Sequence, residues 1–559
     1  MSRTPFKIPG TTEKLVPFCE ELIEQCYASL PRRREMYRYF RSYYYTGSGN
    51  GTGSKHNKCF SHIDKLSSLL FSPSEVKFDL SFDGEEVGEF AEMGDTAARY
   101  LTKEYFRAKA GLVFGQAVDT ALIDGCAITK KVWGYHGPKS YLIRPQFFGV
   151  LREDIEDLDE QDAMVQSFYV TPKQLLRLLG FRDGAAALVG RISDSAEKPN
   201  TADFDSDYFH EIVMAGLSPI TTTGVPSGQR GSVSPYATPS PMLSAEVSAS
   251  LIRVDDLWVM DDEREDWTTI RYVKPGIILE GNLQHRNLSD IPKEHPFTKV
   301  CPNEVPGYFY GASELLTVTA LQDLISRRMD DADNILKRQA RPSRAYIGFS
   351  NITPEKALAL MSLDGMLTED NPNGKIETLA PDMPTELLPW IEYLDGCFDD
   401  QAGITNMMQG KGEPGVRSGV QGNQMLRTST PRLRDRAMLV ENQCGDDGDK
   451  TFKMLQAKVP KVFKTPGGAQ FILEQLPEDA TVMVDSHSSS PAFSGDQANQ
   501  AAMLRKFGSI DDADFLEMQP GLPRKAELVI KARKRDEAKA KLLEQHPELL
   551  TKGAGAHKR

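Results

Sequence analysis

Three acidic runs are the first candidates for chemistry in this sequence: Glu153–Asp162, Asp261–Asp266 and Asp446–Asp449. Clustered carboxylates hold hard cations such as Mg²⁺ or Ca²⁺, but none of the three follows the EF-hand register. A two-metal nuclease needs carboxylates converging from separate elements, which a linear run does not display. A solvated surface accounts for each run. The glycines between Gly47 and Gly53 could cradle a phosphate. However, Lys55 follows Ser54 and precedes His56, and a Tyr-rich segment stands where an apolar strand should, so the Walker spacing and its context both fail. No Gly-x-Ser-x-Gly elbow and no His-Glu-x-x-His pair occurs. His487 beside Ser488 reads as a polar linker. The seven cysteines, Cys19, Cys26, Cys59, Cys126, Cys301, Cys397 and Cys444, form no Cys-x-x-Cys pair. They predict free thiols in a reducing compartment rather than a disulfide framework or a zinc site. No metal, no cofactor and no catalytic residue is expected.

The composition suits a packed protein. Of 559 residues, 40% are hydrophobic and 26% charged, which is ordinary for a globular chain. No run of 18 apolar residues occurs, so no membrane helix is expected, and Met1–Gly10 lacks the apolar core of a secretory signal. Folding in a cytoplasm follows as the expectation. The net charge is −13. That argues against tight gripping of duplex DNA, which needs a basic patch, but suits a surface past which DNA slides. Residues 521–559 run the other way, with eleven Lys and Arg against five Asp and Glu. A solvated helical face and a contact with nucleic acid or an acidic neighbour both fit that tail.

Positioning elements follow from periodicity. Apolar spacing predicts helices over 13–45, 59–70 and 89–124. Residues 127–146 predict a hairpin turning at Gly137-Pro138. A short helix is expected at 172–179 and strands at 251–259 and 268–280. Residues 216–248, rich in Ser, Thr, Pro and Gly, read as an exposed insert. Ser313 is a natural N-cap for a helix to Gln339, about 40 Å long, and Pro342 closes it. Strands are expected at 344–349 and 376–379, with a short helix at 354–361 between them. A second helix runs from 384 to 402 with Gly403 as its cap. The segment 403–423 follows, with glycine at 410, 412, 415, 419 and 422, and is read as a pliable loop. A further helix to Val459 should be kinked by Pro431, or have its start delayed to it. A strand is expected at 480–485, and the tail from Asp496 is read as helical.

The order Tyr310-Gly-Ala-Ser313, long helix through Leu321–Met329, Gln339-Ala-Arg-Pro342, small mixed insert, second helix, glycine loop and further helix resembles the portal (head-to-tail connector) family of tailed bacteriophages. The resemblance spans the whole chain in element order and about 150 positions in residues. It implies a mainly α fold with α+β inserts in a portal-type ring: a wing at 1–306, first stem helix at 307–342, clip at 343–383, second stem helix at 384–402 and tunnel loop at 403–423. A long helix returning to the wing would occupy 424–490, and crown helices 491–559. The insert 216–248 has no counterpart in that scheme.

What the resemblance implies is a non-enzymatic homo-oligomer of twelve copies at one capsid vertex of a virion, assembled in host cytoplasm, through which double-stranded DNA is packaged and ejected. Partners would be the large terminase subunit, major capsid and scaffold proteins, and tail or adaptor proteins, with no membrane. Gln409, Lys411, Arg417 and Gln421 on the glycine loop would touch DNA transiently, since phosphate contacts are sequence-independent and salt-sensitive. Solvent exposure, or pairing with Glu413, is the plain alternative for the two cations. Arg327, Arg328, Lys337 and Arg338 on the stem would face DNA or pair with Asp323, Asp330, Asp331 and Asp333 across helices, with pairing between subunits favoured. Arg344, Lys356 and Lys375 would lie on the clip and meet motor or tail. The rival functions are another capsid or connector protein and a metal-dependent phage nuclease.

Overall fold

Local signals set most helix ends. In the computed structural model, α1 (Thr12–Cys26) and α2 (Leu30–Thr46) are separate helices. The expected single 13–45 helix breaks at residues 27–29, where Pro31 opens the second helix and Gly47 ends it with φ 70°. Asn57 caps α3 (Lys58–Leu70) by accepting from the Phe60 N–H. The long helix expected over 89–124 is two: α4 (Val87–Arg107) and α5 (Ala110–Asp124), divided at Lys109, which sits at φ 55°. The structure describes residues 11–48, 56–82, 87–178, 185–195, 252–261, 266–274, 276–279, 288–340, 343–347, 374–379, 384–403, 431–465, 470–477, 480–484 and 501–507, with a few isolated positions besides. The insert 216–248, the glycine loop beyond residue 403, the 354–361 helix apart from its isolated positions, the His487 linker and most of the tail fall outside them.

The described strands pair antiparallel throughout. Strand β1 (Phe78–Ser81) pairs with β14 (Thr481–Val484). Strands β2 (Ala127–Gly134), β3 (Gly137–Ile143) and β9 (Phe297–Val300) form a three-stranded sheet in the order β3-β2-β9. The β2–β3 hairpin turns at Tyr135-His136, not at Gly137-Pro138; Gly137 pairs with Gly134, and Pro138 with Trp133. A five-stranded sheet runs in sequence order: β4 (Phe148–Val150), β5 (Ala163–Val170), β6 (Ile252–Asp261), β7 (Asp266–Val273) and β8 (Ile277–Ile278). Its two faces are both covered. Val165, Leu257, Val259 and Ile270 pack under Leu15, Cys19 and Leu22 of α1. Met164, Trp258 and Trp267 pack with Phe148, Phe297 and Phe309 on the other face. Helices α6 (Pro172–Leu178) and α7 (Ala185–Ser195) close the far end around Leu175 and Ile192.

After a 3-10 turn at Glu314–Thr317, helix α8 (Thr319–Ala340) leads to strand β10 (Ser343–Ile347). Strand β11 (Lys375–Leu379) returns against it with Ser343 opposite Leu379, and helix α9 (Leu387–Ala402) follows. Because the strand ends meet at Ser343 and Leu379, the end of α8 and the start of α9 lie together and the helices run in opposite directions. They form a two-helix arm. Ile325, Leu394 and Phe398 join it to the main core.

Helix α10 (Pro431–Lys458), about 42 Å long, is the central rod of that core. Ala437, Val440, Cys444, Phe452 and Leu455 are buried among residues of α3, α4, α5 and the β1–β14 pair. Pro431 is the first residue of this helix, the delayed start rather than the kink. A first-turn N–H has no partner inside the helix, and proline loses nothing there. Strands β12 (Val462–Lys464) and β13 (Gln470–Ile472) complete the layer. The result is a helix-rich α+β protein. Its seven cysteines are free, and burial pushes the Cys19, Cys26, Cys59 and Cys301 thiols up to about 12, which keeps them protonated and unreactive.

Candidate functional site

The two-helix arm is the feature whose side chains the rest of the chain least explains, and its root is built with care. Ser313 accepts the Leu315 N–H and starts the turn into α8. The next residue, Glu314, is buried and binds three partners. Asn303 Nδ2 donates to it at 2.9 Å, Arg436 of α10 lies at 2.8 Å, and His62 Nε2 of α3 lies at 3.4 Å. Burial raises the Glu314 carboxyl, but the His62 and Arg436 contacts outweigh it and hold the group down at about 2. Gln322, fully buried on α8, binds the segment that leads into α3, and its Nε2 also donates to Ser326 at 3.0 Å. Its Oε1 accepts the Lys58 N–H at 2.9 Å, and its Nε2 donates to the His56 carbonyl at 2.7 Å. Tyr43 donates to Asp323 at 2.9 Å. On α9, Lys58 Nζ reaches the Asp395 carbonyl and the Asp399 carboxylate, both at 2.9 Å, above the Phe398 ring. One short helix, α3, therefore ties both arm helices to the body.

Replacing Glu314 with Gln tests this root. The carboxyl is held below its ordinary 4.5, so its charge stabilises the fold above that pH, and the contribution is lost as pH falls from about 4.5 towards 2. The variant should lose about 1.5–3 kcal/mol at pH 7. The gap between the urea midpoints of the two chains should shrink from pH 4.5 and close only as pH reaches about 2, and a constant gap would contradict the argument.

The stem cations divide into two kinds. Within one chain Arg328 pairs with Asp331 at 2.9 Å and Lys337 with Asp333 at 2.6 Å, each within α8 at helical spacing. Asp323 is taken by Tyr43. Arg327 and Arg338 are exposed and make no ion pair among the described residues. Arg344 sits on β10 opposite Thr378. Lys375 on β11 is exposed and pairs with Glu377. Lys356, Gln409, Lys411, Arg417 and Gln421 lie outside the described residues. The root residues Lys58, His62, Gln322 and Arg436 were not singled out from the sequence. The one signal was Gln322, a polar residue next to the apolar stripe of an amphipathic helix.

Two of the acidic runs, 153–162 and 446–449, carry structural contacts beside their exposed carboxylates, and residues 262–265 of the third lie outside the described residues. The segment 152–162 straps the five-stranded sheet to its neighbours. Glu153 accepts from Ser29 and lies beside Arg33, while Glu156 accepts the Gly307 N–H at 2.6 Å. Asp159 lies 2.7 Å from His295 Nε2 and 3.6 Å from Lys450. The Phe297 N–H donates to His295 Nδ1, which leaves the neutral ring's proton on Nε2, towards Asp159. Burial and the nearby Lys450 lower this histidine's pKa. The cleft of about 540 Å³ beside the strap is lined by these groups and by Glu294, Asp449 and Lys453. Lys453 bridges Glu294 at 2.5 Å and Asp449 at 2.9 Å. Lysines pair with Asp159, Glu294 and Asp449, while burial and the neighbouring carboxylates raise Asp446 to about 6, and no group of three or more metal-ligating side chains occurs among the described residues. No described helix is long and apolar enough to cross a membrane.

No protein-family profile matches the chain, and no curated protein matches it. Among solved structures it is similar to a chain in the neck of an empty gene transfer agent particle computed with C6 symmetry. That match has 11% identity, covers 84% of this chain and 90% of the other, and has a TM-score of 0.37. It is also similar to a chain in the virion of a native gene transfer agent particle. There the identity is 11%, the coverage 93% and 96%, and the TM-score 0.38.

Proposed function

We propose that the chain is a structural subunit of a tailed-phage or phage-like particle, and specifically its portal: a ring at one capsid vertex through which duplex DNA is packaged and ejected. The observation that carries this reading is the arm. A capped long helix, a two-stranded hairpin and an antiparallel return helix follow one another, as the sequence resemblance requires, and the arm is rooted in the body by buried polar contacts. In this reading α8 and α9 are the stem and the β10–β11 hairpin belongs to the clip that meets the terminase motor and later the tail adaptors. The segment after Gly403 supplies Lys411 and Arg417 to passing phosphates. A net charge of −13 suits a bore that repels DNA and so lets it slide.

Negative-stain imaging and native mass measurement of the purified full-length chain test the proposal. The expected result is a closed ring with a hole wide enough for a duplex, and no DNA cleavage with Mg²⁺. A chain that stays monomeric, or builds an open shell, defeats the portal reading. Mg²⁺-dependent cleavage lost on replacing the Asp446–Asp449 carboxylates would make the protein an enzyme instead.

A further inference from the structure

We propose that the cleft between the strap and α10 binds an alkyl polyamine, with its ammonium groups on Asp446 and the Thr298 hydroxyl and its methylenes on an apolar wall. The cleft lies within one chain, so its occupancy is separate from the ring reading above.

Seven carboxylates and four lysines line the cleft, so it keeps a surplus of negative charge. Burial and the nearby Lys450 lower the His295 pKa, and the neutral ring does not offset that surplus at pH 7. Lys450 and Lys453 are engaged by Asp159, Glu294 and Asp449. Asp446 lines the cleft, open to solvent, and makes no hydrogen bond or ion pair among the described residues. Partial loss of water, then repulsion from Asp159, Asp449 and Asp157, raises its carboxyl to about 6 against the pull of Lys450. A cation placed beside Asp446 relieves that repulsion.

An orphan hydroxyl sits in the same cleft. Thr298 of β9 is 3% exposed, and its Oγ1 has no hydrogen-bond partner among the described residues. Thr298 stands opposite Thr129 of β2, whose hydroxyl reaches Asp447 of α10. Paired residues of neighbouring strands point to the same face, so Thr298 also faces α10 and opens into the cleft. A buried hydroxyl without a partner is costly, and an N–H donor entering the cleft satisfies it.

The rest of the lining selects the kind of cation. Leu158, Met260 and Trp267 set an apolar wall beside the carboxylates. A bare divalent ion makes no use of that wall, and no three metal-ligating side chains converge among the described residues. A cleft of about 540 Å³ is of the size that takes a small molecule. An alkyl polyamine uses every part of it: each terminal ammonium carries three donors, and the methylenes between shed water against the wall.

Calorimetric titration of the full-length chain with spermidine at pH 7 tests the site, and saturable binding of one molecule per chain is expected. Asp446→Asn should weaken it by about tenfold or more, the loss of a charge-assisted hydrogen bond. Thr298→Val should weaken it by about three- to tenfold. The urea midpoint of the free Thr298→Val chain should stay level or rise, because the hydroxyl removed has no partner. Wild-type affinity should fall as pH drops through about 6, where Asp446 takes up a proton, and Asp446→Asn should lack that step. Ammonium ion and Mg²⁺ at matched charge should displace spermidine poorly, since neither uses the wall. Absence of saturable binding, or equal affinity in all three chains, overturns the proposal. Full displacement by matched Mg²⁺ overturns it too, as it marks diffuse attraction to an acidic surface. If Thr298→Val unfolds, Asp446→Asn, which alters a solvent-facing side chain, decides alone.

Discussion

Replacing Asp447 with alanine is expected to destabilise the folded chain by about 3–5 kcal/mol. Asp447 lies midway along α10 and is fully buried, as is Lys131 of β2. The Lys131 ammonium reaches Asp447 Oδ2 at 2.5 Å and Ser140 Oγ at 2.7 Å. Tyr105 of α4 donates to the same carboxylate at 2.8 Å, and Thr129 at 2.7 Å. One carboxylate of α10 therefore satisfies three donors from two other elements, α4 and β2. Removing it leaves the buried Lys131 ammonium with Ser140 Oγ alone and no counter-charge, and two hydroxyls without their acceptor. Removing both charges is a different experiment. In Lys131→Met/Asp447→Leu no buried ion is stranded, so the double variant should recover most of the loss, although Tyr105 and Thr129 still lack their acceptor. Urea unfolding followed by circular dichroism measures both. A loss below about 1 kcal/mol for Asp447→Ala would mean that water reaches Lys131 and that the network is not the clamp described. Burial and the Asp447 charge also push the Tyr105 hydroxyl well above its ordinary value, so it donates throughout the accessible pH range.

The second large effect is expected at Gly311, the glycine of Tyr310-Gly-Ala-Ser313. Its φ of 62° lies in the left-handed region, and an added Cβ would sit 2.8 Å from the Asn303 carbonyl and 2.9 Å from the Gly125 carbonyl, with Cys301 Sγ nearer still. Gly125, at φ 104°, faces it, and a Cβ there would lie 2.8 Å from the Tyr310 carbonyl. Two glycines back to back allow the end of α5 to touch the turn that starts the arm. Gly311→Ala combines left-handed strain with overpacking against backbone, and about 2–4 kcal/mol of lost stability should follow. Gly307→Ala is the control. Its φ is 73°, but nothing lies within 4 Å of the added Cβ, so only the strain of about 1 kcal/mol remains. Equal losses at the two positions would refute the close-packing argument, and chemical denaturation resolves the difference.

The motif that first drew attention to residues 310–313 is therefore a packing requirement as much as a family mark. Its glycine permits an approach between chain segments almost 200 positions apart. The sequence displays the glycine but not the carbonyls it must avoid.

Helices with one apolar face, such as α3, α8 and α9, were legible because each buries a single stripe, and a stripe recurs every three or four residues. Their ends were legible where a local group makes the cap, at Ser313 and Gly403. Strand β5 was not, because Ala163–Val170 is covered on both sides and shows no alternation. The role of Pro431 depended on where its helix begins. The partners of Glu153, Glu156 and Asp159 lie far away in the sequence, on α2, on the turn before the arm and on α10, so a run that reads as solvated acid became a strap. Free thiols, an amphipathic arm and a glycine-rich segment after it are properties of residue type and short spacing, and the chain alone determined them. Which charges are neutralised, which carboxylate is left unmatched and what ties the arm to the body depend on contacts closed over hundreds of residues, and only the tertiary structure decided those.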